Sequence, residues 1–160
     1  MTNKVVTEER LVQLLAQARA IRKRIVFTNG CFDLMHVGHT RYLQAAKELG
    51  DLLVVGVNSD VSVKTLSKSS DRPIVPESQR VEILAALGCV DYVVLFPEPD
   101  PYRLIRAVQP DVLVKGGDWS VDTIVGRDVV EGRGGVVKTI PLVPGISTTS
   151  LIHRIRSTQT

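Results

Sequence analysis

The chain is poor in the residues that mark special classes of protein. It has two cysteines, Cys31 and Cys89, without metal-ligand spacing. A disulfide framework is therefore not expected, and both read as small, buried, reduced side chains. Twelve glycines and eight prolines in 160 residues are too few for a collagen-like or low-complexity architecture. No run approaches the roughly 20 apolar residues that cross a bilayer, and Met1 leads into a charged segment instead of an apolar signal core. The expectation is a cytoplasmic protein with no membrane partner. One Trp, three Tyr and three Phe supply no stacking platform for single-stranded nucleic acid. A net charge of +3, from 20 basic and 17 acidic residues, supplies no basic stripe either. The run Arg22-Lys23-Arg24 reads as a solvated helix end. Nucleic acid is not an expected partner.

Familiar catalytic signatures are missing as well. There is no GxxxxGK[ST] loop, no GxGxxG after the first strand, and no Ser/His/Asp or Cys/His set that could form a covalent intermediate. Zinc would need a third ligand beside His36 and His39, and the one other histidine is His153. No resident metal is expected.

What remains is 44% hydrophobic and 23% charged, the balance of a globular domain. Thr7 can cap a helix carrying Leu11, Leu14, Leu15 and Ala18 at helical spacing. Short apolar runs follow at Ile25–Thr28, Leu52–Val57, Tyr92–Phe96, Val112–Val114 and Val136–Ile140. Between them lie helical patterns from about His39 to Leu49, Pro76 to Gly88, Tyr102 to Val108 and Gly126 to Glu131, with a last one from Thr148 to Arg156. Asn58–Pro76 reads as a polar loop. Alternating strands and helices predict an α/β fold: a Rossmann-like, parallel five-stranded sheet with helices on both faces. Residues 1–24 read as an N-terminal helical extension and 25–160 as a single domain. In such sheets ligands gather at the carboxyl ends of the strands, where the strand order reverses.

The segment Gly30-Cys31-Phe32-Asp33-Leu34-Met35-His36-Val37-Gly38-His39 joins the first strand to its helix. Two histidines three apart can share one side of a helix entrance, Gly38 permits close backbone approach, and the helix start attracts anions. These features together describe a phosphate site with imidazole donors. Solvent-exposed or structural histidines are the bland alternative.

On these residues the chain resembles the cytidylyltransferase-like branch of the HxGH nucleotidylyltransferases, and the likeness runs from Ile25 to Arg156. Asn58-Ser59-Asp60, Arg72-Pro73, Gln79-Arg80, Lys115-Gly116-Gly117-Asp118 and Ser147-Thr148-Thr149 also recur in that group. Within it the chain is most similar to the heptose 1-phosphate adenylyltransferases, stand-alone or joined to a heptose kinase. The resemblance implies transfer of AMP from ATP to D-glycero-D-manno-heptose 1-phosphate, giving ADP-heptose and pyrophosphate for cell-surface heptose biosynthesis. It implies Mg²⁺ travelling with ATP, and a homodimer.

The implied catalytic residues are His36 and His39, with Lys64, Lys68 or both on phosphate. Phe32, Asp33, Gly38, Gly117, Asp118, Ser147, Thr148 and Thr149 are the implied nucleotide-binding residues. Phe32 could equally be core, and Asp118 could brace its loop. Arg80 and Lys115 are implied either to contact phosphate or to brace loops, with bracing favoured for Arg80. The similar glycerol-3-phosphate cytidylyltransferases carry an Arg-Thr pair shortly before the stretch equivalent to Gly145–Thr149. Val143-Pro144 stands there instead, which favours the heptose branch over CTP-dependent chemistry.

Overall fold

Strands that are apolar at every position must be covered on both faces, and the computed structural model covers them. It describes residues 3–66, 71–117 and 119–158. The chain runs α1 (Glu8–Ala20), β1 (Ile25–Gly30), α2 (Val37–Lys47), β2 (Leu52–Asn58), α3 (Asp60–Leu66), α4 (Glu77–Ala86), β3 (Tyr92–Phe96), α5 (Tyr102–Val108) and β4 (Val112–Gly116). A single 3-10 turn at Val121–Thr123 then precedes α6 (Arg127–Glu131), β5 (Val136–Ile140) and α7 (Thr148–Ser157). Among the described residues no helix is long and apolar enough to cross a membrane.

All strand pairs are parallel, in the order β3-β2-β1-β4-β5. The chain leaves β1 toward one edge and returns from β3 to the other side of β1. The order therefore reverses between β1 and β4, and their carboxyl ends, Gly30 and Gly116, flank the resulting crevice.

Side-chain alternation along each strand sorts the core into two layers. Val26, Val55 and Val114 pack with Leu43 and Ala46 of α2 and Leu84 of α4. Ile25, Phe27 and Leu113 face the other way, onto Leu11 and Leu15 of α1 and Leu104 and Ile105 of α5. The first helix thus contributes to the core, and Thr7 caps it by accepting a hydrogen bond from the Arg10 amide at 3.3 Å. β2 runs unbroken through Gly56, where a Cβ would lie 3.0 Å from the Phe27 ring.

At the opposite end of the sheet, aspartates fasten the strand starts. Asp111 accepts from the Ile25 amide at 2.7 Å, and Asp91 from the Leu53 amide at 2.7 Å.

Three expectations need correction. The segment Asn58–Pro76 is not all loop: Asp60–Leu66 is helical, a short turn that polar composition hid because Ser62 and Val63 are its two buried side chains. The helix after β1 begins at Val37, two residues before His39, since His36 is its cap. Both cysteines are free and half-buried, where full burial was expected.

Leu15 is fully buried between α1 and the sheet, so Leu15→Ala is expected to lower unfolding stability by about 2–5 kcal/mol. Urea unfolding followed by circular dichroism reads this; a loss below about 0.5 kcal/mol would mean that α1 does not fold with the sheet.

Candidate functional site

The site begins where β1 ends. Phe32 turns the chain with a φ of +48°, a conformation that a bulky residue holds only when its surroundings impose it. Its ring is packed against Gly30, where a Cβ would lie 3.1 Å away, and sits 5.6 Å from the His39 ring, centroid to centroid. Phe32 is therefore both core and cleft wall. The turn delivers the chain to α2 through a reciprocal cap: His36 Nδ1 accepts from the Gly38 amide at 3.2 Å, and His39 Nδ1 accepts from the His36 amide at 3.3 Å. The imidazoles lie 4.0 Å apart, centroid to centroid. A Cβ on Gly38 would stand 2.9 Å from the His36 ring, so the cap requires glycine there.

This arrangement fixes the chemistry of both rings. An Nδ1 that accepts a hydrogen bond carries no proton, so each neutral ring holds its proton on Nε2, the nitrogen left free to donate. Burial keeps His36 below its usual pKa of 6.5. For His39 burial, with repulsion from His36 adding to it, brings the value down to about 4. Near neutral pH both are uncharged hydrogen-bond donors.

The rings open into a cavity of about 280 Å³ between β1, β4, α2 and α7, lined by His36, Gly38, His39, Tyr42, Ser147 and Thr148 among others. Two helix starts, those of α2 and α7, meet at it, and their first amides lack intrahelical partners. Tyr42 closes the floor: its hydroxyl is 2.6 Å from Thr28 Oγ1 and donates to the Val114 carbonyl at 3.2 Å, and burial raises its pKa to about 12. Leu142, Val143 and Ile146 form an apolar wall. Val143 stands on the wall itself, so where an arginine would add a basic contact this chain has apolar surface facing the cavity.

A second cavity of about 330 Å³ adjoins the first, sharing Asn29, Gly30 and Gly116 with it. Pro101, Lys115, Trp119, Thr123, Ile124 and Val125 complete it. The Lys115 ammonium donates to Asn29 Oδ1. Burial brings its pKa down to about 8.

Several residues expected in the site do other work. Asp33 is buried, and its carboxylate is saturated by Arg72 Nε at 2.6 Å and by the amides of Ile74 at 2.9 Å and Val75 at 2.8 Å. It clamps the segment before α4 onto the β1–α2 loop and lines neither cavity. Arg80 is fully buried and braces three segments, donating to Asp60 Oδ1 at 2.8 Å, to the Val75 carbonyl at 3.0 Å and to the Cys31 carbonyl. It has no access to a ligand.

Gly117 turns the chain after β4 with φ +105° and donates to the Ile140 carbonyl at 2.9 Å, leaving Gly116 as the lining glycine. Ser147 spends its hydroxyl on the Ser150 amide at 3.0 Å as helix cap, and Thr148 donates its own to the Leu34 carbonyl at 3.2 Å. Both line the cavity; Thr149 is exposed and does not. Lys64 is exposed on α3 and lines neither cavity. Lys68 and Asp118 lie outside the described residues. Reading the sequence missed Asn29, Tyr42 and Trp119. Asn29 was within reach, being polar at the end of the strand beside the reversal point, and Trp119 was the lone tryptophan just after another such strand.

Because the cap needs unprotonated Nδ1 atoms, protonation competes with it. The unfolded histidine takes up its proton near pH 6.5 and folded His39 only near 4. The unfolded state therefore binds more protons in that window, and stability rises with pH across it. The urea midpoint is expected to fall as pH drops from 6.5 toward 4, with a shallower fall in His39→Gln. Equal slopes in the two proteins would contradict the cap.

The family model described as cytidylyltransferase-like matches residues 27–158. Bifunctional protein HldE of Syntrophotalea carbinolica is 54% identical over 153 residues, covering 96% of this chain; the chain spans only 31% of that relative's length. Among solved structures, the lipopolysaccharide core biosynthesis protein from Thermoplasma volcanium is 30% identical with a TM-score of 0.61, and the match covers 76% of this chain and 97% of that one. Pantoate-beta-alanine ligase from Francisella tularensis has a TM-score of 0.61 at 13% identity, covering 98% of this chain and 78% of that one, which is a likeness of fold. With most of its length matched by that family model and its strand order reversing at the histidine-bearing loop, the chain belongs to the cytidylyltransferase-like family of nucleotidyltransferases.

Proposed function

We propose that this chain transfers the AMP moiety of ATP to D-glycero-D-manno-heptose 1-phosphate, releasing pyrophosphate and forming ADP-heptose for cell-surface heptose biosynthesis. The observation that carries a nucleotidylyl transfer is the pair of Nε2–H donors and two helix starts gathered around one cavity at the strand-order reversal. Identity to bifunctional protein HldE, together with the sequence resemblance to heptose 1-phosphate adenylyltransferases, supports adenylyl and heptose over other nucleotides and acceptors.

The reaction needs alignment and charge stabilisation more than a nucleophilic side chain. An oxygen of the sugar phosphate attacks the α-phosphorus, the bond to the β-phosphate oxygen breaks, and the electron pair leaves with pyrophosphate. His36 and His39 would donate to the triphosphate and to the charge that grows on the leaving group. The neutral state of the free site helps here, since two imidazolium ions 4.0 Å apart would repel each other and lose the cap. The Gly38 amide is held by His36 and the Ser147 amide by Ser150, so it is the Thr148 amide, at the start of α7, that would hold a remaining phosphate oxygen.

Mg²⁺ would arrive on the nucleotide. The two cavities present no carboxylate among the described residues, and Asp33 has its oxygens taken, so these residues do not fit a resident metal. Lys64 and Lys68 would neutralise phosphate from the segment between β2 and α4, which the Asp33–Arg72 and Arg80–Asp60 pairs tie to the histidine loop. A cytoplasmic homodimer acting on ATP and a sugar 1-phosphate completes this reading.

Pyrophosphate release measured with ATP or CTP, each offered heptose 1-phosphate or glycerol 3-phosphate, tests it. Turnover is expected with ATP and heptose 1-phosphate, and His36→Ala should lose at least ~100-fold in kcat, the scale of a removed electrostatic donor. Turnover confined to CTP with glycerol 3-phosphate would transfer the assignment to a cytidylyltransferase. No turnover with any pair, or an undiminished His36→Ala, would overturn the enzymatic reading.

A further inference from the structure

We propose that the cavity at the amino ends of the strands, ringed by Arg19, Arg22, Lys23, Arg24 and Arg133, is a separate anion site that binds inorganic pyrophosphate. It lies at the pole of the sheet opposite the histidines, so the inference does not depend on the reading of the first cavity.

The cavity measures about 360 Å³, within the range of small-molecule sites. Arg24 precedes β1, Asp111 precedes β4 and Gly135 precedes β5, so three strand starts form its floor. Arg19, from the last turn of α1, and Arg133, from the turn between α6 and β5, complete the ring. The run Arg22-Lys23-Arg24, which reads from sequence alone as a solvated helix end, is therefore one wall of a hollow.

The charge gathered there is largely uncompensated. Lys23 reaches a carboxylate, Asp51, at 3.8 Å, with both groups half-exposed. Arg19, Arg22, Arg24 and Arg133 form no ion pair among the described residues. Asp111 is the one acid lining the cavity, and its Oδ2 is taken by the Ile25 amide at 2.7 Å. Arg19 registers the crowding: burial, and then repulsion from Arg133, hold its pKa below the ordinary value, and Asp111 offsets part of this. Its Nη2 donates to the carbonyls of Val108 and, at 3.0 Å, Gln109, which fixes the guanidinium and leaves Nε and Nη1 without a partner among the described residues. Like charges held together raise the free energy of the empty site, and a bound anion offsets that cost.

The lining also selects the class of anion. Guanidinium forks match pairs of phosphate oxygens. Among the described residues no aromatic or apolar side chain lines the cavity, so the base of a nucleotide would find no wall. Five cations facing one carboxylate exceed what a single phosphate neutralises and suit a diphosphate. A nucleic-acid strand calls for a basic groove with aromatic platforms, and these cations surround a hollow instead.

Calorimetric titration with inorganic pyrophosphate in magnesium-free buffer tests the assignment on the double variant Arg22→Gln/Arg133→Gln. Both side chains are exposed and make no hydrogen bond among the described residues, so the fold should survive, which circular dichroism checks. Arg106→Gln/Lys138→Gln removes the same charge from exposed positions that do not line the cavity. Affinity is expected to fall at least ~10-fold in the first variant, the scale of one lost charged hydrogen bond, and to stay within about 3-fold of wild type in the second. NMR separates this site from any binding beside the histidines. The amide signals of Gly134 and Gly135, which line this cavity, should shift with pyrophosphate in wild type and in His36→Ala, and stay in place in Arg22→Gln/Arg133→Gln. Unmoved glycine signals in wild type, equal weakening in both double variants, or saturation of the glycine shifts at a lower concentration of ADP than of pyrophosphate would overturn the proposal. The same shifts in a protein that turns over no substrate pair would leave this site standing and sink the proposed reaction instead.

Discussion

Two histidines that cap their own helix govern the rest of this site. Each Nδ1 is occupied by a backbone amide of the same turn, and that one constraint sets the tautomer, the direction of the remaining N–H and the protonation state of both rings. A helix start is ordinarily capped by a serine, threonine or aspartate oxygen. Using imidazoles instead places two donors at the mouth of the helix, where an anion would already be attracted by the free amides. Stability and binding therefore draw on the same atoms, and Gly38 is demanded by the cap before any ligand is considered.

The sheet supplies the place. Reversal of strand order between β1 and β4 opens a crevice, and the histidine loop leaves from one of its walls. Around the loop lies a lattice of ionic contacts: Asp33 with Arg72, and Arg80 with Asp60. These charges are buried or half-buried and paired with good geometry, so they hold three chain segments in register, and removing one partner would leave the other uncompensated. The lattice explains why an aspartate and an arginine that belong to the family's recurring sequence pattern never reach the cleft. Their task is to hold the loop that does.

Much of this was legible in the sequence. Continuous apolar runs at Leu52–Val57 and Tyr92–Phe96 could be satisfied only by a sheet covered on both faces, and β3, α5 and β5 fall where periodicity put them. The HxGH spacing was readable because it sat between a strand and a helix. What escaped depends on side-chain direction. Whether Asp33 points into the cleft or back toward Ile74 and Val75 turns on a backbone bend at Phe32, and no local residue preference foretells a positive φ at phenylalanine. The three hydroxyls of Ser147–Thr149 looked equivalent in the sequence; helix geometry sends them to a cap, to the Leu34 carbonyl and to solvent. Tyr42 and Lys115 become neighbours of the site only when α2 and β4 are laid beside β1. The short α3 was invisible for a simpler reason: seven residues with two buried side chains carry too little periodicity to read.

The account depends on the proton positions of His36 and His39, and nitrogen-15 NMR of the imidazoles reads them directly. At neutral pH, long-range nitrogen–proton correlations should give the Nε2–H tautomer for both rings. A ring carrying its proton on Nδ1, or doubly protonated in the free protein, would contradict the reciprocal cap and remove the donors on which the rest is built.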